Sequence, residues 1–150
     1  MTAPAFRPLT AADESAALAL MRAFNAEDGH AFDPDLAAAA LQRITAGDAA
    51  ARFWLIELDG AVAGYLCVTT GFSLEVGGGD FFLDELFVVP AARDAGVGRA
   101  ALAFAETEAA ALGARRLCLE VERANLRARA LYERRGYRDH DRHLMSKRLG

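Results

Sequence analysis

The most constraining feature of this chain is the stretch from Leu83 to Leu102, which reads as a strand, a glycine-containing loop and a helix in direct succession. The apolar run through Val89 stops at Pro90, and an alanine-rich, helix-forming segment follows Gly96 and Gly98. Glycines at a helix start let a ligand approach the backbone, where N–H groups and the helix dipole favour an anion. The pattern predicts an anion site, and a glycine turn that binds nothing is the alternative.

Two common phosphate loops are excluded by the residues themselves. The Gly-x-Gly-x-x-Gly loop of dinucleotide folds fails because position 101 is Ala, and the Gly-Lys-Ser/Thr of a P-loop does not occur. The motif that fits is Arg/Gln-x-x-Gly-x-Gly/Ala, matched by residues 93–98. This loop resembles the pyrophosphate-binding loop of the GNAT superfamily of N-acetyltransferases, whose acetyl donor is acetyl-CoA. Asp94 stands where many members have glycine, and its carboxylate is expected to turn outward.

A second motif lies in residues 122–137 and resembles the other signature of this family, Asn-x-x-Ala-x-x-Leu-Tyr-x-x-x-Gly-Phe/Tyr. The matching positions are Asn125, Ala128, Leu131, Tyr132, Gly136 and Tyr137. Asn125 and Tyr132 are seven positions apart, so a helix would present both on one face. With both motifs in the right order, the chain is identified as a member of the superfamily over roughly residues 81–140.

The hydrophobic periodicity predicts a single α/β domain over residues 1–150. We expect strands at 6–9, 52–58, 62–70, 81–89 and 116–122, helices ending near Asn25 and spanning 34–46, 97–112 and 125–135, a flexible turn at 77–80, and a final pair of short strands within 137–149. Asp59-Gly60 is a strong hairpin signal. The predicted fold is a mixed, mostly antiparallel central sheet with a parallel β-α-β acetyl-CoA-binding unit and helices on both faces. Phe53, Trp54, Tyr65 and Phe72 are expected in the core or on a sheet face.

The resemblance implies a set of donor contacts along the strand, the loop and the second motif. They are Leu86, Phe87, Val88, Val89, Arg93, Asp94, Ala95, Gly96, Val97, Gly98, Arg99, Asn125, Ala128, Tyr132 and Arg135. It also implies that Tyr132 is the general acid that protonates the CoA thiolate, with a tyrosine merely packed on a helix as the alternative.

Asp84 and Glu85 directly precede the donor strand residues and are the candidate acceptor-side acids. Successive strand residues point to opposite faces, so we expect only one of them to face the acceptor pocket. Glu85 is favoured as the base or amine anchor, with Asp84 as its substitute and a strand-end charge as the alternative for either. The two early helices are expected to cover that pocket, and Glu27, Asp28 and His30 between them form either a solvated turn or an acceptor contact.

Composition excludes several classes of protein. A net charge of −4 argues against a nucleic-acid binder, and no apolar run is long enough to span a membrane. Cys67 and Cys118 lack a redox or metal spacing and are expected to be reduced, buried thiols of a cytoplasmic protein. His140 and His143 have no third ligand nearby, so no metal site is expected.

The predicted function is transfer of an acetyl group from acetyl-CoA to a primary amine of a small molecule or peptide by direct attack. A CoA-binding but inactive sensor or interaction module is the alternative, and a homodimer is an expectation carried by the family. The sequence leaves the acceptor open among polyamines, amino acids, antibiotics and protein amines.

Overall fold

The computed structural model describes residues 2–150 and divides into two compact units, one ending at Glu120 and the other beginning at Val121. The strands are β1 (Ala5–Pro8), β2 (Ala51–Leu58), β3 (Ala61–Thr69), β4 (Phe72–Ser73), β5 (Gly78–Val88) and β6 (Ala114–Cys118). The helices are α1 (Glu14–Asp28), α2 (Pro34–Thr45), α3 (Val97–Ala111) and α4 (Leu126–Arg134). Within residues 2–150, no helix combines the length and apolar character needed to cross a bilayer.

The first unit holds one six-stranded mixed sheet in the order β1-β2-β3-β5-β4, with β6 also paired to β5. All pairs are antiparallel except β5 and β6, which run parallel. Helix α3 lies between these two strands in the sequence. The β2–β3 hairpin turns at Asp59 and Gly60, whose φ angles of 51° and 80° suit the tight turn that this dipeptide favours. The predicted mixed sheet with a parallel β-α-β unit is confirmed.

Helices cover both faces of this sheet. On one face, Ala17 of α1 and Leu41 of α2 pack in a cluster with Phe53, Leu55, Tyr65, Cys67 and Phe87 of the sheet. On the other, Phe104 of α3 stacks on Phe6 at 4.3 Å between ring centroids and meets Trp54 edge-on at 5.2 Å. Successive side chains of β2 thus point alternately into two separate apolar layers, as the two-residue period of a strand requires.

Of the flexible turn predicted at 77–80, only Gly77 is a turn residue, whereas Gly78, Gly79 and Asp80 begin β5. Gly78 and Gly79 pair with β4 on one side, and Gly79 pairs with Ala114 of β6 on the other. A Cβ at Gly79 would lie 2.8 Å from the Gly113 carbonyl oxygen, so glycine here permits close approach of two strands rather than a turn. The turn comprises residues 74–77. Phe72 lies in β4 and is 73% exposed, so it is a sheet residue, as one of the two predicted alternatives has it, and not a core residue.

Two other element boundaries differ from the prediction, and one predicted pair of strands does not form. Helix α1 continues through Glu27 and Asp28 and ends at Gly29, whose φ is 70°. Strand β6 ends at Cys118, because its last pairing with β5 is there. Residues 137–149 contain no strand; Leu144, Met145 and Leu149 are 73%, 88% and 93% exposed, so their apolar pattern finds no surface to pack on.

Candidate active site

The parallel pair β5–β6 separates partway along its length. Phe82 and Cys118 are the last residues that pair, and from Leu83 onward β5 pairs with β3 alone. The Val89 N–H donates to Ala63 of β3 at 2.8 Å. Backbone groups of successive strand residues point to opposite edges, so those of Val88 face the open edge of β5.

The predicted donor residues on β5 therefore divide by direction. Phe87 has its side chain buried in the core and its backbone opposite Tyr65, so it lies on the closed side. The Val88 carbonyl oxygen accepts a hydrogen bond from Arg93 Nε at 2.9 Å, as expected for a group on the open side. Beyond Phe82, this edge of β5 is thus not paired with β6, and Arg93 occupies the Val88 carbonyl oxygen on it.

A β-bulge places both candidate carboxylates on the same face. Cys67 pairs with Glu85 and Val68 pairs with Leu83, so one step along β3 matches two along β5 and Asp84 is the extra residue. The alternation that would have sent Asp84 and Glu85 to opposite faces is broken there. The prediction that only one of the two faces the pocket is wrong: both line it.

Glu85 is held by a buried phenol. The Tyr65 hydroxyl donates to Glu85 Oε1 at 2.7 Å, and the Tyr65 ring is fully buried and stacked on Phe53 at 5.0 Å between centroids. Burial raises the pKa of Glu85 above its ordinary value, the Tyr65 hydrogen bond lowers it in part, and the charge of Asp84 raises it. The result is a carboxylate whose pKa is shifted toward the range useful for a general base.

Asp84 lies at the exposed mouth of the same pocket. The surrounding protein removes part of its water, which raises its pKa as well. Burial and these two carboxylates also raise the pKa of Cys67 to about 12, so this thiol stays protonated at neutral pH. A thiol held in that form is a poor nucleophile, and an acyl-cysteine route has no support here.

The pocket occupies about 440 Å³ between α1, α2 and the sheet. Its lining comprises Met21, Ala40, Leu41, Arg43, Ile44, Asp48, Ala50, Ala51, Phe53, Cys67, Thr69, Thr70, Asp84 and Glu85. The two early helices therefore cover it, as the sequence predicts. Neither Glu27 nor His30 lines it; both are exposed, and Glu27 binds Arg93.

The loop after β5 has the backbone of an anion site. Gly96 is the N-cap of α3 with a φ of 77°, and α3 begins without a side-chain cap, whereas Asp33 caps α2. Gly98 has no positive φ, and a Cβ added there would meet nothing within 4 Å. Nothing in the fold of the chain demands glycine at 98, and a small residue there leaves the start of α3 open to a ligand.

The other residues of the loop differ in their positions. Asp94 has a φ of 68°, a left-handed conformation that glycine adopts without strain and that aspartate tolerates better than most residues. This explains why a glycine suits the position. The Val97 side chain is 1% exposed and belongs to the core, so only its backbone can serve a ligand.

Arg93 is engaged in this structure. Its Nη2 donates to both carboxylate oxygens of Glu27, at 2.7 and 2.9 Å, and the guanidinium carbon lies 5.7 Å from the Phe87 ring centroid. The side chains of Arg93 and Glu27 are 36% and 45% exposed, and pairs of this kind contribute only about 0–1 kcal/mol. A phosphate can therefore compete with Glu27 for this arginine.

In the second unit, Asn125 is the N-cap of α4, and its side-chain oxygen accepts the Ala128 N–H at 3.1 Å. The asparagine and alanine of the second motif thus start the helix that carries Tyr132. The Tyr132 ring is half-buried, lies 6.1 Å from that of Tyr137, and has its pKa raised by burial. Arg135 is exposed directly after the helix.

Tyr65 is a partner of the candidate site that the sequence does not predict. Its ring lies in the core, as predicted, but its hydroxyl binds Glu85. The Asp59-Gly60 turn fixes the register between β2 and β3. No comparable signal gives the register between β3 and β5, so the contact between Tyr65 and Glu85 could not be predicted from the sequence.

Comparisons with known proteins agree with this geometry. The model of the acetyltransferase (GNAT) family matches residues 16–137. The uncharacterized N-acetyltransferase YhfO of Bacillus subtilis (strain 168) is 44% identical over 59 residues, 39% of this chain. That match spans only 40% of the length of YhfO.

Solved structures share the fold. The integron cassette protein HFX_CASS3, from the mobile metagenome of Cole Harbour Salt Marsh, has a TM-score of 0.84 at 32% identity and covers 97% of this chain and 90% of its own. The aminoglycoside N-acetyltransferase AAC(6')-Iy in complex with CoA has a TM-score of 0.81 at 16% identity, over 97% and 94% of the two chains, a likeness of fold alone. With a family match that spans most of its length and the predicted strand, loop and helix in place, this chain belongs to the acetyltransferase (GNAT) family.

Proposed function

We propose that this chain is an acetyl-CoA-dependent N-acetyltransferase that acts on a primary amine of a small molecule or peptide by direct attack. One observation on β5 carries the proposal. Two carboxylates, Asp84 and Glu85, lie at a β-bulge, and the strand edge directly after them is not paired with β6. The carboxylates serve the acceptor, and the edge serves the amide-bearing arm of the donor.

The residues fit acetyl-CoA by their own chemistry. The uncapped start of α3 and Gly98 suit the pyrophosphate, Arg93 supplies charge once it leaves Glu27, and the edge of β5 that β6 leaves unpaired suits amide pairing. Acetyl-CoA supplies the acetyl group as a thioester.

Proton transfers are assigned to two side chains. Glu85 accepts the proton that the amine loses as its nitrogen bonds to the acetyl carbon. Tyr132 donates a proton to the sulfur that keeps the electron pair of the broken carbon–sulfur bond. The role of Glu85 is supported by its raised pKa and its contact with Tyr65, and that of Tyr132 by the second motif and its half-buried phenol.

The first test is calorimetric titration of acetyl-CoA into the wild type and into Gly96→Asp, which places a carboxylate at the start of α3. Gly60→Asp is the matched control, since Gly60 has a φ of 80° in the β2–β3 turn and Gly96 a φ of 77°. We expect wild type and Gly60→Asp to bind in the micromolar range and Gly96→Asp to lose binding. A folded wild type that gives no heat would contradict the donor site.

The second test is Tyr132→Phe, measured by thiol release with a primary amine acceptor. Turnover should fall with little change in the Kd of acetyl-CoA. Unchanged turnover would refute the role of Tyr132, and donor binding with no transfer to any amine would favour the inactive CoA-binding module. The cytoplasmic location, the single domain and the homodimer stay predictions.

A further inference from the structure

The pocket between α1, α2 and the bulge has walls of unequal chemistry. Its helical side presents Met21, Leu41 and Ile44, and its sheet side presents Phe53. A volume of about 440 Å³ lies within the roughly 300–1,000 Å³ usual for small-molecule sites. An apolar body is therefore favoured over most of the wall.

The rim carries one cation, and that cation is already paired. Arg43 Nε donates to Asp48 Oδ2 at 2.9 Å, while Asp48 Oδ1 accepts the Ala50 N–H at 2.9 Å. These two interactions, the backbone one first, hold the pKa of Asp48 below its ordinary value. Arg43 and Asp48 thus cancel each other's charge at the rim.

The side of the pocket formed by Asp84 and Glu85 differs in charge from the rim. Glu85 has the neutral Tyr65 hydroxyl as its hydrogen-bond partner, and within residues 2–150 no cation pairs with Asp84 or Glu85. Two carboxylates that share a pocket without a counter-cation attract one from outside. The pocket therefore combines a single focus of negative charge with extended apolar walls.

We propose that this pocket takes a primary monoamine with an apolar body, of the alkylamine or arylalkylamine class, and that Asp84 is the specificity residue that attracts its ammonium group. The inference rests on the proposed function, because it names the acceptor of that reaction. The amine end lies at the bulge, beside Glu85, and the apolar body lies against Met21, Leu41 and Ile44.

Polyamines and aminoglycosides fit these walls poorly. Each carries further ammonium or hydroxyl groups along its length, and the groups that lie against Met21, Leu41 and Ile44 would lose water without gaining hydrogen bonds. An apolar body instead gains about 25 cal/mol for each Å² removed from water. The difference favours the monoamine even though its net charge is lower.

The test compares 2-phenylethylamine and hexylamine with spermidine and kanamycin as acceptors, by kcat/KM for thiol release. We expect the two monoamines to exceed both polycations by about tenfold or more, the discrimination typical of apolar pockets. A preference for spermidine or kanamycin would overturn the proposal.

Two variant pairs locate the binding. Ala40→Phe fills the pocket from α2, and Ala39→Phe, also exposed on α2, lies outside the lining. We expect Ala40→Phe alone to raise the KM for 2-phenylethylamine about tenfold. Asp84→Asn should raise it severalfold, while Asp59→Asn in the β2–β3 turn should not. Equal effects within either pair would contradict the assignment.

Calorimetry of 2-phenylethylamine without acetyl-CoA separates this inference from the proposed function. Binding that Ala40→Phe abolishes supports the pocket even if no transfer occurs. If the protein binds acetyl-CoA and acetylates kanamycin but does not bind 2-phenylethylamine, the proposed transferase activity is supported and the proposed apolar amine substrate is refuted.

Discussion

The Tyr65 hydroxyl and Glu85 Oε1 lie 2.7 Å apart across strands β3 and β5, at the wall of the proposed acceptor pocket. This hydrogen bond stabilises the charged form of Glu85 and opposes the effect of burial on its pKa. It therefore lowers the pH at which Glu85 becomes a base, although burial has the larger effect on that pKa.

Tyr65→Phe should move the acidic limb of the pH profile of kcat/KM to higher pH, because the Glu85 pKa rises when the hydrogen bond is lost. The ring volume is kept, so the fold is preserved. The profile is measured with 2-phenylethylamine or another accepted amine. An acidic limb that stays in place would show that a group other than Glu85 controls it.

Glu85→Gln should lower kcat by about 10²–10⁴-fold, the usual contribution of a general base. It should also raise the stability of the fold at neutral pH. The pKa of Glu85 in the folded protein is above its unfolded value near 4.5. At a pH between these two pKa values, the native state still binds a proton that the unfolded state has lost. Wild-type stability falls over that window, and the glutamine variant escapes the loss.

Chemical denaturation at pH 4 and pH 8 measures this gain for Glu85→Gln. The gain should be present at pH 8 and small at pH 4. Glu120→Gln, at an exposed position, is the matched control and should show no such gain. A variant less stable than wild type at pH 8 would contradict the raised pKa.

Gly98→Ala should separate stability from donor binding. The added Cβ meets nothing within 4 Å of the fold, so the free energy of unfolding should rise by up to about 1 kcal/mol through helix propensity. The Kd of acetyl-CoA should change little, because the motif matched by residues 93–98 admits alanine as well as glycine at its last position. Gly64→Ala is the contrast, because its Cβ would lie 2.0 Å from the Phe87 carbonyl oxygen and should destabilise the fold. A loss of acetyl-CoA binding in a folded Gly98→Ala would contradict the match of this loop to the motif.

Asp94→Asn should tighten acetyl-CoA binding by about fivefold, which is the roughly 1 kcal/mol repulsion of two charges near 4 Å in water. Asparagine tolerates the left-handed φ of 68° as aspartate does, so the loop should keep its shape. The gain should shrink in high salt, which screens the repulsion. Asp59→Asn, with a φ of 51° in another turn, controls for the backbone and should leave the Kd unchanged.

Local chemistry made several features predictable. The strand, loop and helix of residues 83–102 are fixed by an apolar run, a proline and two glycines, and the structure keeps all three elements. Asp59-Gly60 fixed the β2–β3 hairpin for the same reason. The family followed from two motifs that need no knowledge of tertiary contacts, and the family match confirms it.

Features that depend on pairing between distant strands were not predictable. The glycines at 78 and 79 resemble a turn in isolation, and only the approach of β6 shows that they are strand residues. Two short strands are predicted within residues 137–149, but Leu144, Met145 and Leu149 are exposed and no strand forms there.

The sequence alone determined the local conformations and the motif residues, because backbone preferences act over a few positions. Tertiary structure decided the site. The bulge that turns Asp84 and Glu85 to one face, the Tyr65 hydroxyl on Glu85, and the pairing of Arg93 with Glu27 join residues up to 66 positions apart. Such contacts depend on strand register and packing, which no local pattern in this chain specifies.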